Sequence, residues 1–317
     1  MISIDDVERA ARTIAGRVHR TPLLRSATLS DRLEAEAYHK AELFQRTGSF
    51  KVRGALNRLA ELSDEEKQRG VISISAGNHA QALAWAAREA GLDALIVMWQ
   101  GADALKVAAT RGYGAAIDQE APDPTRSFER LDELIAETGR TLVHPFNDKA
   151  VIAGQGTVGL EILDEQPQPD VVVVPVGGGG LVSGIATAVR ARLPQARVIA
   201  VEPESSPALH DGLAAGHSVP VAPKSAADAL NAPFAGERGI EICSRLGVES
   251  VLVSEDDLAD AFRWLYVRTK LACELGAAAS TAALLSGKVR VEPGKTVVAV
   301  VSGGNVAPME AAAILAG

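Results

Sequence analysis

The run VVVVPVGGGGLVSGIATAVRARL, residues 171–193, decides how the rest of the chain is read. Residues 171–189 are uncharged over about the length of a membrane span. Pro175 and four consecutive glycines interrupt that run, so a buried strand, a turn and a helix explain it better. The first part is rich in β-branched residues, as a strand covered on both faces requires. Leu181, Ile185 and Val189 then recur at helical spacing. Between the two, Gly177, Gly178, Gly179 and Gly180 carry no Cβ, so the backbone can approach a ligand and turn its amides inward as an anion nest. A purely structural turn is the weaker reading, because glycines in a row are costly in conformational entropy. The turn predicts a phosphate ligand.

The same alternation extends outward. Residues 71–74 (VISI), 94–98 (ALIVM), 196–201 (ARVIAV) and 296–301 (TVVAVV) read as further buried strands, with helices after several of them. This pattern predicts an α/β fold with a mostly parallel sheet. HAQALAWAAREAG is expected to end at a C-cap glycine, and SEDDLADAFRWLYVRTKLA to open with a capping box from Ser254 to Asp257. Residues 119–127 and 164–170 read as loops, and residues 217–239 as a long irregular segment of the kind that is often functional.

Composition narrows the partners. The 317 residues are 47% hydrophobic and 23% charged, which describes a soluble globular chain long enough for one large domain or two lobes. With 32 Lys and Arg against 40 Asp and Glu, net charge is −8. No basic run follows a phosphate backbone, so nucleic acid is not an expected partner, and an anionic ligand would be held by backbone amides. The two cysteines, Cys243 and Cys273, point to a reducing compartment, and the acidic, amphipathic start is not a targeting signal. A cytoplasmic protein without a membrane span is expected.

Ligands of open α/β sheets gather at the carboxyl ends of strands, and two further strand ends carry unusual residues. In VISISAGNHAQ, Ser75, Gly77, Asn78 and His79 crowd a helix N-terminus, where free amides receive carboxylates or phosphates. Helix capping is the plainer reading of any one such turn, and the four residues together weaken it. In TVVAVVSGGN, Ser302 closes a strand and presents a hydroxyl at the sheet edge. The glycine run is not a P-loop, because Ile185 rather than Lys follows Gly184. A dinucleotide site would use Glu202, at the end of ARVIAVE, but Ser183 stands at the third glycine of GxGxxG. GQGTVG at 154–159 follows only a short apolar run and reads as a chance match. No HxxxH pair and no GxSxG elbow are present.

GSFKVRGAL, residues 48–56, poses the remaining problem. Ser49 reads as an N-cap with Val52, Leu56 and Leu59 on one face, so Lys51 falls in a first helical turn, where the macrodipole disfavours a cation. Burial at such a position favours the neutral amine over the ammonium form.

In their order and spacing, GSFKVRGA, SAGNHAQ, GGGGL and SGGN resemble the serine/threonine dehydratase family, fold-type II enzymes dependent on pyridoxal 5′-phosphate. The resemblance runs from RTPLLRS near residue 20 to Asn305 and includes HPFNDKAVIAGQGTVGLEIL and AVEPE. It implies a tryptophan synthase β-like fold of two lobes, each a mostly parallel sheet flanked by helices. Residues 1–69 and 148–317 would form the large cofactor-binding lobe and residues 70–147 a small mobile one. Lys51 would form the Schiff base, with Phe50 packed beside the ring and Asn78 at the phenolic oxygen. The Gly177–Gly180 loop and the Leu181 amide would hold the phosphate, and Ser302 would meet the pyridine nitrogen. Ser75, Gly77, Asn78 and His79 would form the substrate side, the turn receiving the carboxylate.

The implied reaction is ammonia-lyase chemistry: β-elimination of a hydroxy amino acid such as L-threonine or L-serine, giving a 2-oxo acid and ammonia. The implied assembly is a homodimer or higher homo-oligomer. A serine at the ring nitrogen is a weak partner that suits elimination over a long-lived carbanion.

Several positions depart from the family pattern. Ala76 stands where racemases carry a second serine, which favours dehydration over racemisation. Glu202 matches one ligand of a divalent cation, but Ser206 and Ala208 occupy the downstream positions. Trp99, Asp103 and Leu275 replace usual prolines, which keeps a bulkier or acidic 3-hydroxy amino acid open as substrate. The end of the chain soon after SGGN predicts that no C-terminal regulatory domain follows. A nicotinamide-dependent dehydrogenase, the alternative from another class, gives Lys51 and Ser302 no task.

Overall fold

The β-branched runs pair into two separate sheets in the computed structural model, which describes residues 1–317, residue 125 in its backbone alone. The strands are β1 (Leu23–Arg25), β2 (Glu36–Ala41), β3 (Val71–Ile74), β4 (Ala94–Trp99), β5 (Ala116–Ala121), β6 (Thr141–Leu142), β7 (Val171–Pro175), β8 (Arg197–Pro203), β9 (Glu249–Val253) and β10 (Thr296–Val301). One sheet has the order β1-β2-β10-β7-β8-β9 and the other β5-β4-β3-β6. Every pairing is parallel except β1 with β2. The parallel pairs are joined by helical crossovers that cover the sheet faces, and β7 and β10 are almost wholly buried.

All five anticipated strands are present within a residue or two of their expected ends. The other five escaped notice because they are short, polar or at an edge. β5, AIDQEA, is exposed or half-buried along most of its length, and β2, EAYHKA, hides His39 and Lys40 among its buried residues. Residues 119–127 are not a loop: they hold the end of β5 and the start of the Pro124–Thr138 helix, capped by Asp123 with Pro124 at its first position. The capping box at Ser254 forms as expected, but its helix ends at Trp264 and passes into a π turn at Leu265–Thr269. No described helix is long and apolar enough to cross a membrane.

Glycines bring the helices close. GQGTVG lies inside the Lys149–Glu165 helix and is a packing surface. A Cβ on Gly154 would stand 2.6 Å from the Gly54 Cα, and one on Gly184 would stand 2.5 Å from the Gly156 amide nitrogen. These contacts pack the helix that carries Lys51 and the helix after the glycine run closely against one central helix.

Candidate active site

Lys51 is the first residue of the Lys51–Ala60 helix, whose Val52, Leu56 and Leu59 are buried as expected. The cap differs from expectation. Phe50 is the N-cap, and the buried Ser49 hydroxyl has no hydrogen-bond partner. The reason is tertiary: Ser49 forms a bridge with Gly303, and Phe50 N–H donates to the Ser302 carbonyl at 3.2 Å. Gly304 N–H donates to the Gly48 carbonyl at 2.9 Å. Thus the segment before Lys51 is tied to the end of β10 rather than to its own helix.

Lys51 Nζ donates to the Pro145 carbonyl at 3.0 Å and lies 5.2 Å from the Phe50 ring centre. Burial lowers its pKa from 10.5 to about 8, against the pull of the Glu274 carboxyl. The amine is therefore readily made neutral, as a nucleophile or a base must be.

The glycine turn follows β7, with Gly179 in left-handed backbone at φ 89° and Gly180 opening the next helix. Among the described residues, no amide from Gly177 through Val182 donates to a protein acceptor. Phe146 lies directly over this turn: a Cβ on Gly178 would overlap its ring, and one on Gly180 would be 3.0 Å from its carbonyl oxygen. Residues 217–239 close the other side, with Gly236 N–H donating to the Gly178 carbonyl at 3.1 Å and Leu230 against Gly177. Leu181 is buried at the start of its helix.

Ser302 directly follows β10, nearly buried, and its hydroxyl makes no hydrogen bond to a described protein group. Asn78 opens the Asn78–Glu89 helix. Its Nδ2 donates to Glu274 Oε1 and its Oδ1 accepts from Asn305 Nδ2, both at 2.7 Å. Ser75 Oγ accepts from the Gly77 amide at 3.2 Å. The His79 ring is turned inward, with Nε2 3.1 Å from the Val143 carbonyl, and burial lowers its pKa to about 3. A neutral, buried imidazole leaves the backbone amide as what His79 offers at the turn. Glu202 does not stand free: its oxygens accept from the amides of Leu209 and His210 at 2.7 and 2.8 Å, capping the Ala208–Ala215 helix.

Three groups at the site were missed by sequence reasoning. Glu274, buried with its pKa pushed up to about 7 by burial and by Asp228, faces Asn78. Asn305 stands behind Asn78, and the segment His144–Phe146 bridges Lys51 and the glycine turn. The available signal was a lone acid within the apolar run LACELGAAA, since a carboxyl there is buried only where something pairs with it.

These residues fit pyridoxal phosphate: a depressed lysine amine, an unpaired amide cradle of glycines and a free hydroxyl converge from separate elements. Comparison with known proteins agrees. Residues 14–303 match the family described as pyridoxal-phosphate dependent enzyme. The chain is 43% identical over 307 residues to an L-threonine ammonia-lyase of Thermotoga maritima, covering 96% of this chain and 76% of that protein. It superimposes on a threonine deaminase from T.th. with a TM-score of 0.90 at 40% identity, covering 96% of this chain and 99% of the other. It also superimposes on maize serine racemase with a TM-score of 0.92 at 35% identity, covering 97% and 94%.

Proposed function

The chain belongs to the pyridoxal-phosphate dependent enzyme family, and on that premise we propose that it is an ammonia-lyase acting on a β-hydroxy amino acid such as L-threonine or L-serine. Water leaves from Cα and Cβ, and a second water later replaces the amino group, so the products are a 2-oxo acid and ammonia. The observation that carries this reading is the easily neutralised Lys51 amine set within the same site as the unpaired amides of the Gly177–Gly180 turn. Bound there, pyridoxal phosphate supplies the electron sink that makes the Cα proton of an amino acid removable.

The chain's own groups do the rest. Lys51 would hold the cofactor through Nζ, and the same neutral amine would take the Cα proton. The amides of Gly177, Gly178, Gly179, Gly180 and Leu181 hold the phosphate, and Phe50 packs beside the ring. Asn78 meets the phenolic oxygen and Ser302 the ring nitrogen. Ser75, Gly77 and the His79 amide receive the substrate carboxylate at the helix N-terminus. Ala76 supplies no proton donor at that turn, which favours elimination over the racemisation named for the maize protein.

We read residues 1–69 with 148–317 as the large lobe and 70–147 as a smaller, mobile one, because strands β3–β6 form a sheet of their own. Two buried free cysteines suit a cytoplasmic setting, and a homodimer or higher homo-oligomer is part of the same reading.

Purified protein should be yellow, and borohydride should bleach it while fixing the cofactor to Lys51. Lys51→Ala should abolish release of ammonia and 2-oxo acid from threonine or serine. Near-normal turnover by that variant, or a colourless protein that binds NAD, would sink the assignment.

A further inference from the structure

A hydrogen-bonded chain crosses the site from the turn before Lys51 to Glu274. Thr47, in left-handed backbone at φ 58°, presents its carbonyl to Asn305 Nδ2 at 2.8 Å. A carbonyl only accepts, so this contact decides which end of the Asn305 amide is nitrogen. The same nitrogen donates to Asn78 Oδ1 at 2.7 Å. That contact in turn directs Asn78 Nδ2 to Glu274 Oε1, also at 2.7 Å. Glycines make room for both ends of the chain. A Cβ on Gly48 would collide with Asn305 Oδ1, and one on Gly303 would collide with Glu274 Oε1. A buried carboxyl and two amides are costly beside apolar packing unless their hydrogen bonds are met, and here each link meets the next.

We propose that Glu274 and Asn305 are positioning residues that hold the Asn78 amide with its nitrogen edge forward, leaving its second N–H for the phenolic oxygen of the cofactor. The proposal rests on the reading above that Asn78 meets that oxygen. An Asn amide held from one side only can turn over, and the turned amide would set Oδ1 against a phenolic oxygen, acceptor against acceptor. With Oδ1 taken by Asn305 and Nδ2 by Glu274, the turned state loses both partners. Burial and the like charge of Asp228 disfavour the Glu274 carboxylate, while the hydrogen bond from Asn78 and the charges of Lys106 and Lys51 favour it.

The test is a pH titration of the visible absorption band of the holoenzyme, with cofactor affinity measured alongside. A hydrogen-bond donor stabilises the phenolic anion, so losing it raises the pKa read from the band. N78A should raise that pKa by about one pH unit, and E274A and N305A should shift it the same way. The double variant E274A/N78A should match N78A alone, because Glu274 acts only through Asn78. E274Q keeps an acceptor for Asn78 and should restore the wild-type band. If E274A does not fold, N305A, at a half-buried position, carries the same comparison with N78A. An unshifted band in E274A with a shifted one in N78A would overturn the relay while leaving the Asn78 reading intact, as would full additivity in the double variant. An unshifted band in N78A would overturn both.

Discussion

Lys51 shows how one side chain acquires chemistry from its surroundings. Its amine is held by the Pro145 carbonyl, and burial lowers its pKa from 10.5 to about 8. The sign of the linked stability follows from this. Between about pH 8 and 10.5 the unfolded chain keeps the proton that the folded one has lost, so folding stability rises with pH through that window. In cofactor-free protein, the difference in unfolding free energy between wild type and Lys51→Met should therefore move in favour of wild type as pH rises from about 8 to 10.5. Urea unfolding at intervals across that range would show it, and a flat difference would mean that the amine is not depressed. Ser49 teaches the opposite lesson. A serine ahead of an apolar helical face is a good N-cap in isolation, yet the bridge to Gly303 turns its backbone away from that task.

At the scale of elements, glycines in this chain do two different jobs. In the turn after β7 they leave amides unpaired and give Phe146 its seat. Between helices they let backbones touch: a Cβ on Gly156 would be 2.9 Å from the Gly184 carbonyl oxygen. G178A should therefore weaken cofactor binding by about tenfold or more as well as lower stability, since its Cβ would collide with the Phe146 ring. G156A should lower stability by about 1–3 kcal/mol through overpacking and leave cofactor affinity near wild type. Cofactor titration and thermal unfolding of the two variants separate these outcomes. Equal losses of affinity would show that the helix contact and the turn are one unit. GQGTVG matches a ligand-loop pattern by chance, because both jobs call for the same residue.

At the scale of the whole molecule, a buried charge network binds distant segments. Arg53, fully buried, pairs with Glu42 at 2.8 Å and with Glu161 at 2.7 Å, while Lys40 reaches Glu161 at 2.8 Å and Glu165 at 3.2 Å. These residues come from β2, the turn after it, the helix of Lys51 and the Lys149–Glu165 helix. R53M would leave Glu42 buried without its charge partner and should cost about 3–5 kcal/mol in urea unfolding. A loss under about 1 kcal/mol would mean that water or a shifted lysine replaces the guanidinium. An ion pair between Lys106 and Asp228 also joins the Ala104–Gly112 helix to the segment of residues 217–239.

The alternation of β-branched runs with helical stretches was enough to predict the α/β class and the strands at its centre. Four short motifs in order were enough to name the family and its cofactor, and they supplied Lys51, the glycine turn, Asn78 and Ser302 as the proposed site. These features are local, because a strand's burial and a glycine's freedom are written in neighbouring residues. Edge strands, the direction of the His79 ring, the capping role of Glu202 and the relay through Asn305 and Glu274 were not legible. Each depends on which distant stretches of chain meet or on which side of a turn is filled. By itself the sequence determined what kinds of groups the site contains. Only the tertiary structure decided which of them are buried, and burial decides whether a lysine is a charge or a nucleophile.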